Sequence, residues 1–206
     1  MHEVKINYLG HACFCLECYG YRTVIDPYAD NMVPGLGILQ LDADAVYCSH
    51  GHDDHSHVAS VRLRGRETSA PYRLETLEVT HDDQGGQLRG MNTIHLFDFE
   101  GLRVAHLGDI GRELSPEEQT VLRGVDALLI PVGGYYTIDA ATAARMVEQL
   151  SPRVVIPMHY RTDTTGFAAI SRLEEFTSRF DHVVYGGDSL VLTKETEKQI
   201  HVLRYK

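Results

Sequence analysis

Residues 50–55 read His50-Gly51-His52-Asp53-Asp54-His55. Three imidazoles and two carboxylates within six residues cannot form part of a buried apolar element, because each group would need its own partner once removed from water. The stretch follows Ala45 to Cys48, a short apolar run that reads as a strand, so the cluster occupies the loop at a strand end. Such loops carry functional groups on a rigid scaffold. His50 and His52 are two residues apart and point the same way along an extended chain. Asp54 and His55 are adjacent and address a second point if the chain turns into a helix there. Imidazole nitrogen with carboxylate oxygen suits zinc, and also manganese or iron. One motif can thus serve two ions; the competing reading is a solvated His-rich turn.

Three residues elsewhere weigh against that competing reading. His81 follows Leu77-Glu78-Val79-Thr80, Asp109 follows Val104-Ala105-His106-Leu107-Gly108, and His159 follows Val155-Ile156-Pro157-Met158. Each stands where a strand ends, as expected of ligands converging at one edge of a sheet. Singly, each would be an ordinary surface or capping residue; with the cluster, they complete a two-metal set. His95 and His106 fall inside strands and read as packed, hydrogen-bonded residues, and His57, His182 and His201 have no partner pattern.

Alternation in Val4, Ile6 and Tyr8 marks a first strand. Ala12 to Cys18 returns through Tyr19-Gly20 to Thr23-Val24-Ile25. Asn31 to Gln40 reads as a loop, and Asn92 to Phe99 and Leu102 to Leu107 as strands joined at Glu100-Gly101. Ser115-Pro116-Glu117-Glu118 is a helix start with a capping box. Ala127 to Ile130 and Val154 to Ile156 read as strands, with a helix from Asp139 to Leu150 between them. Phe167, Ile170, Leu173 and Phe176 form a helical stripe, and His182 to Tyr185 with Leu190 to Thr193 a last hairpin around Gly186-Gly187. Antiparallel runs followed by strand–helix alternation fit two mixed sheets with helices on the outer faces.

The 206 residues suit one domain over 1–206, with no linker or repeat. The formal charge of −10, from 19 basic and 29 acidic residues, lowers the expectation of a nucleic-acid partner. No leader or bilayer-length apolar run is evident, so the expected location is cytoplasmic, without a membrane partner. Cys13, Cys15 and Cys18 crowd into six residues, poor geometry for disulfides. Their spacing also matches a zinc site badly, and Cys13 and Cys15 share a strand face that Cys18 does not. They read as small buried hydrophobes.

The cluster resembles the HxHxDH signature of the metallo-β-lactamase superfamily. The likeness extends through Leu9-Gly10-His11, Ile25-Asp26-Pro27, His106 to Asp109, Pro131-Val132-Gly133-Gly134 and Ile156 to Tyr160. These flanks resemble the branch of metal-dependent hydrolases related to L-ascorbate-6-phosphate lactonase. The resemblance implies an α/β fold, the four-layer αββα sandwich, with the site at one edge of the two sheets. It implies one divalent ion on His50, His52 and His81, a second on Asp54, His55 and His159, and Asp109 bridging them, with zinc first and manganese or iron as alternatives. His52 argues against the oxygen reductases of this fold, which resemble HxExDH. The absence of a cysteine near Asp109 counts against β-lactam hydrolysis.

Two ions about 3.5–4 Å apart can share a hydroxide and lower its pKa, and such a hydroxide would attack a small ester, lactone or phosphorylated metabolite. Asp54, His11 and Asp109 are the residues assigned to catalysis. Asp54 would orient the nucleophile and accept its proton, and no separate general acid is evident. His11 reads equally as a residue that backs the ligands or contacts substrate, or as a capping histidine near a strand start. Asp26 is either the outer partner of a ligand histidine or a turn-starting Asp. Tyr135, Tyr136 and Arg161 are candidates for a substrate pocket, with packing the simpler reading of the tyrosines. The alternatives are a phosphodiesterase or nuclease on the same fold, and a metal-binding sensor without turnover. The expected partner is a small molecule, and self-association stays open. Cys13→Ser combined with Cys15→Ser is expected to leave the metal content per chain unchanged by elemental analysis; loss of one metal would revive a cysteine site.

Overall fold

The computed structural model describes residues 3–65 and 68–205. In chain order the strands begin with β1 (Val4–Gly10), β2 (Cys13–Cys18), β3 (Tyr21–Ile25), β4 (Leu41–Ala43), β5 (Ala45–Tyr47), β6 (Val61–Leu63) and β7 (Arg73–Thr80). Next come β8 (Met91–Phe99), β9 (Leu102–His106), α1 (Pro116–Leu122), β10 (Ala127–Pro131), α2 (Ala140–Leu150) and β11 (Val154–Met158). The chain ends with α3 (Glu174–Thr177), β12 (Val183–Tyr185), β13 (Ser189–Leu192) and β14 (Gln199–Val202). One mixed sheet has the order β13-β1-β2-β3-β5, the other β12-β14-β11-β10-β9-β8-β7, and β4 pairs with β6. No helix among the described residues is long and apolar enough to cross a membrane.

The two large sheets face each other, as expected. Period-two alternation sends Ile6, Phe14, Leu16 and Ile25 from the first sheet against Phe97, Val104, Leu129 and Ile156 from the second. Burial of each such side chain is worth roughly 1.5–3 kcal/mol. The opposite face of the second sheet packs Leu96, Ala105, Leu128 and Ile130 against Leu122, Ala143, Met146 and Phe176 of the helices. α1 starts as its sequence dictates: Ser115 Oγ accepts from Glu118 N, and the Glu118 carboxylate accepts from Ser115 N. The outer face of the first sheet is closed differently. Cys13, Cys15 and Val24 lie under Tyr28, Val33, Leu39, Ala43 and Val61, contributed by the segment after β3 and by β4 and β6. Cys18 packs between the sheets, so the expected split of the trio by parity is present, and all three are free and buried.

Two local expectations fail. The runs at β12 and β13 do not form a hairpin. β12 pairs in parallel with β14, while β13 pairs antiparallel with β1 in the other sheet. Gly186 N donates to Val202 O and Tyr8 N to Asp188 O, so the chain crosses between sheets at this point. Each strand finds a more buried partner than its sequence neighbour. The Phe167–Phe176 stripe is not a continuous helix; only Glu174–Thr177 is helical. Upstream, the backbone bonds outward: Ser171 N donates to Gly133 O, Arg161 N to Ser171 O, and Arg161 Nε to Ile170 O. Those tertiary partners replace the i→i−4 ladder.

His95 and His106 face each other across β8 and β9; His106 is packed and hydrogen-bonded as expected, whereas His95 is packed only. His106 Nε2 donates to Ala12 O at 2.9 Å, which ties the two sheets together, and its Nδ1 accepts from Gly108 N. His95 packs against Tyr47 and Phe97, and its Nδ1 has no hydrogen-bond partner among the described residues. Burial, and then the neighbouring His106, push His95 down to about 4. A histidine depressed in the folded state binds fewer protons than in the unfolded chain. Its contribution is therefore present above the unfolded value near 6.5 and is lost as pH falls toward 4. In urea unfolding of chelator-treated protein, His95→Leu is expected to reduce the fall in stability over this range by up to one proton's worth, ~1.4 kcal/mol per pH unit. An unchanged slope would show that His95 does not titrate this way.

Candidate metal centre

β1 is antiparallel to β2 and β2 to β3, while β3 and β5 are parallel, so β1, β3 and β5 run the same way. In the other sheet β7, β9 and β11 share a direction for the same reason. Their C-terminal ends meet at one edge. There the chain places His11 after β1, Asp26 after β3, residues 50–55 after β5, His81 after β7, Asp109 after β9 and His159 after β11. The 50–55 segment is a series of turns rather than a helix start, with His55 N donating to His52 O.

All seven sequence-derived ligand candidates converge. Ligand atoms of His50, His52 and His81 lie within 4.8 Å of one another, and so do those of His11, Asp54, His55 and His159. Asp109 belongs with both groups: its Oδ2 is 3.1 Å from His159 Nε2, 3.3 Å from His55 Nε2 and 3.6 Å from His81 Nε2. His11 lies inside the second group, with Nε2 3.2 Å from Asp54 Oδ2 and its ring 4.0 Å from that of His159.

The donor set fits divalent metal. His50 Nε2, His55 Nε2, His159 Nε2 and Asp109 Oδ1 are buried and lack an aligned hydrogen-bond partner among the described residues. Leaving four such atoms unpaired would be costly unless a further group satisfies them. The opposite ring nitrogens of two of these histidines are held. Asp26 Oδ1 accepts from Ser49 N at 2.6 Å, and Oδ2 accepts from Ser49 Oγ at 2.6 Å and from His55 Nδ1 at 2.8 Å. Since a carboxylate only accepts, Ser49 spends its proton on Asp26, and its oxygen accepts from His50 Nδ1 at 2.9 Å. Both rings are thereby fixed with Nε2 lone pairs facing inward, the tautomer a metal ligand requires.

Electrostatics agree with this arrangement at His50, His11 and His81, while at His55 the two neighbouring carboxylates favour a positive charge on the ring, which a cation on its Nε2 would replace. Burial, and then the neighbouring histidines, push His50 down to about 3 and His11 to about 4, and burial lowers His81, so these rings are neutral at neutral pH. His55 is raised: burial opposes its charge, but the Asp109 and Asp26 carboxylates outweigh it. Burial works to raise Asp26, and the His55 hydrogen bond and charge hold it at about 2. Asp54 and Asp109 are lowered by their histidine partners in the same way.

The backbone here is strained. His11, Asp26 and His159 have φ of 56°, 51° and 54°, a region non-glycine residues seldom occupy. The strain is held by tertiary bonds such as His159 N to His11 O at 3.0 Å. Two glycines give way to the site. A Cβ on Gly108 would sit 2.2 Å from Asn92 Oδ1, which accepts from Asp109 N, and one on Gly133 would sit 2.1 Å from His159 O.

A cavity of about 510 Å³ opens over the cluster, lined by His52, Asp54, His81 and Asp109 on its floor and by Met32, Arg89, Tyr136 and Phe167 on its walls. Of the pocket candidates, Tyr136 lines it, while Tyr135 is exposed and packs edge-on against Tyr136. Arg161 does not line it, because its Nε is engaged by Ile170 O. His11 lies behind the floor rather than on the wall. Arg89, Met32 and Phe167 escaped the sequence reading, as did Asp82. Nothing local marks the first three; Asp82, next to His81 and ahead of Gly85-Gly86, carried a turn signature.

The family model described as the β-lactamase superfamily domain matches residues 5–159. A solved structure from Thermotoga maritima, described as a candidate zinc-dependent hydrolase of the metallo-β-lactamase superfamily, superposes with a TM-score of 0.77 at 30% identity, covering 98% of this chain and 100% of that one. The chain is a metal-dependent hydrolase of the metallo-β-lactamase superfamily. Within it, the chain belongs to the UPF0173 family. It is 34% identical to the UPF0173 protein of Pyrococcus furiosus over 77% of this chain and 84% of that protein. To the UPF0173 metal-dependent hydrolase of Thermoplasma acidophilum it is 26% identical, over 98% and 100%.

Removing the hydroxyl that bridges Asp26 and His50 should loosen the candidate ligand rings without altering a candidate ligand. Ser49→Ala is expected to weaken metal binding about 10–100-fold in chelator competition, with the folded far-UV spectrum retained. Wild-type affinity in that variant would show that the network does not orient the ligands.

Proposed function

We propose that the chain hydrolyses a small ester, lactone or phosphorylated metabolite at a dinuclear centre. His50, His52 and His81 would hold one ion, Asp54, His55 and His159 the other, and Asp109 both, with zinc the first choice and manganese or iron compatible with the same donors. When bound, the pair supplies a water of lowered pKa and a Lewis acid for the electrophilic oxygen. The observation that carries this reading is that the buried Nε2 atoms of His50, His55 and His159, which lack an aligned partner among the described residues, gather around Asp109, which lines the floor of the cavity.

The chain's own groups have distinct tasks. Asp109 is fixed by its backbone N–H on Asn92 Oδ1, whose amide in turn donates to Leu107 O, so a carboxylate reaching both halves of the cluster is not free to swing. Asp54 faces the cavity with one side and His11 with the other. His11 Nε2 donates to it, keeps it ionised and fixes its orientation, leaving an oxygen to accept the proton of an attacking water. His11 acts through Asp54 and not by touching substrate. Met32, Tyr136 and Phe167 give the entrance apolar walls that exclude water from an occupied site. The cavity's size suits a small molecule. The likeness to the lactonase branch favours a lactone or phosphorylated sugar acid within that range.

Elemental analysis of metal-replete protein is expected to give close to two metals per chain, falling in both His52→Ala and Asp109→Ala, with hydrolysis of lactones and aryl esters lost in parallel. Two metals retained in Asp109→Ala would remove that residue from the centre. A single metal in the active wild type would remove the dinuclear assignment.

A further inference from the structure

We infer that Arg89 is the residue that selects the substrate, by binding an oxyanion on it, so that the molecule hydrolysed is a small acid carrying a carboxylate or phosphate beside its scissile bond. This rests on the hydrolase reading above and narrows it. Arg89 is the one cation among the described residues lining the cavity. Its guanidinium has no hydrogen-bond or ion-pair partner among the described residues. By contrast, Arg62, Arg64, Arg73, Arg112, Arg145, Arg153 and Arg172 each meet a carboxylate. In a chain with 29 acidic and 19 basic residues, an arginine left unpaired beside a catalytic floor is available for a ligand.

The position is built rather than incidental. The guanidinium carbon stands 5.7 Å from the centroid of Tyr136, so the ring supports its face and leaves the edge donors open for a bidentate contact. The backbone beneath it is pinned by Asp82, which is 2% exposed. One Asp82 oxygen accepts from the N–H groups of Gln84 and Gly86, the other from those of Leu88 and Arg89, at 2.8–2.9 Å. Burial works to raise this carboxyl, and the four donors hold it at about 2. Because Asp82 follows His81 directly, the segment that supplies a candidate ligand to the floor also sets the arginine on the wall. Asp82 is a positioning residue; Arg89 is the one that contacts the ligand. Asp53 lines the same cavity and opposes anions, which makes an unscreened Arg89 the element that admits them.

The test uses metal-replete protein and two matched substrates, 4-nitrophenyl butyrate and mono-4-nitrophenyl glutarate, which differ in a terminal carboxylate. Arg89→Gln is expected to raise KM for the glutarate ester about 10–100-fold, as for loss of a charge-assisted hydrogen bond, and to change that for the butyrate ester far less. Arg89→Lys, which keeps the charge without the planar fork, should fall between. Equal effects on both esters, or none on either, would overturn the assignment. If neither ester is hydrolysed in any form, the fault lies with the ester reading, and calorimetric titration of glutarate and of inorganic phosphate decides on Arg89. At least tenfold weaker binding of either anion in Arg89→Gln supports it, and the anion more affected names the group recognised. Equal affinity for both anions would place them on the metals and refute the inference.

Discussion

The Asp26 carboxylate is the constraint on which the site depends. It is fully buried and takes three hydrogen bonds, two from Ser49 and one from His55. A buried carboxylate with that many donors stays ionised, and removing a donor would leave charge unpaired where water cannot reach it. The same three bonds join the end of β3 to the end of β5, hold two histidine tautomers, and account for the left-handed backbone at Asp26. One residue thus couples sheet geometry to ligand orientation.

The second constraint is the seam between the sheets. His159 N donates to His11 O, and His106 Nε2 to Ala12 O, so the β1–β2 turn of one sheet is bonded directly to the end of β11 and to β9 of the other. Without that seam the candidate ligands would sit on two layers free to shift against each other, and a dinuclear centre tolerates little such shift. The glycines at 108 and 133 belong to the same logic: each lets a loop pass closer to the site than any side chain allows.

Electrostatics divide the site into two zones. At and beneath the floor, His11, His50 and His81 are kept neutral by desolvation beside carboxylates kept charged by their partners, an arrangement that invites cations. The wall holds a single guanidinium on an aromatic ring, which invites an anion. The chain's net charge of −10 says nothing of this local pattern, since charge averaged over a surface does not describe a cavity.

Residues 50–55 named the candidate site, because that density of imidazole and carboxylate has few folded alternatives, and strand-end positions drew in His81, Asp109 and His159. The capping box at Ser115 and the β1–β3 hairpins were also legible, being governed by neighbours within a few residues. Where competing partners were distant, local pattern misled. The stripe from Phe167 to Phe176 has helical spacing, yet its backbone groups bond to Gly133 and Arg161, and β12 and β13 abandon each other for different sheets. Arg89 and Asp82 were out of reach for the same reason. An arginine's role depends on whether a carboxylate meets it, and an aspartate's on whether it is buried, and only the packed chain decides either. The chemistry available at the sheet edge follows from residue types and their spacing along the chain; the tautomers, outer partners and wall residues follow from packing, because each depends on groups far apart in the chain.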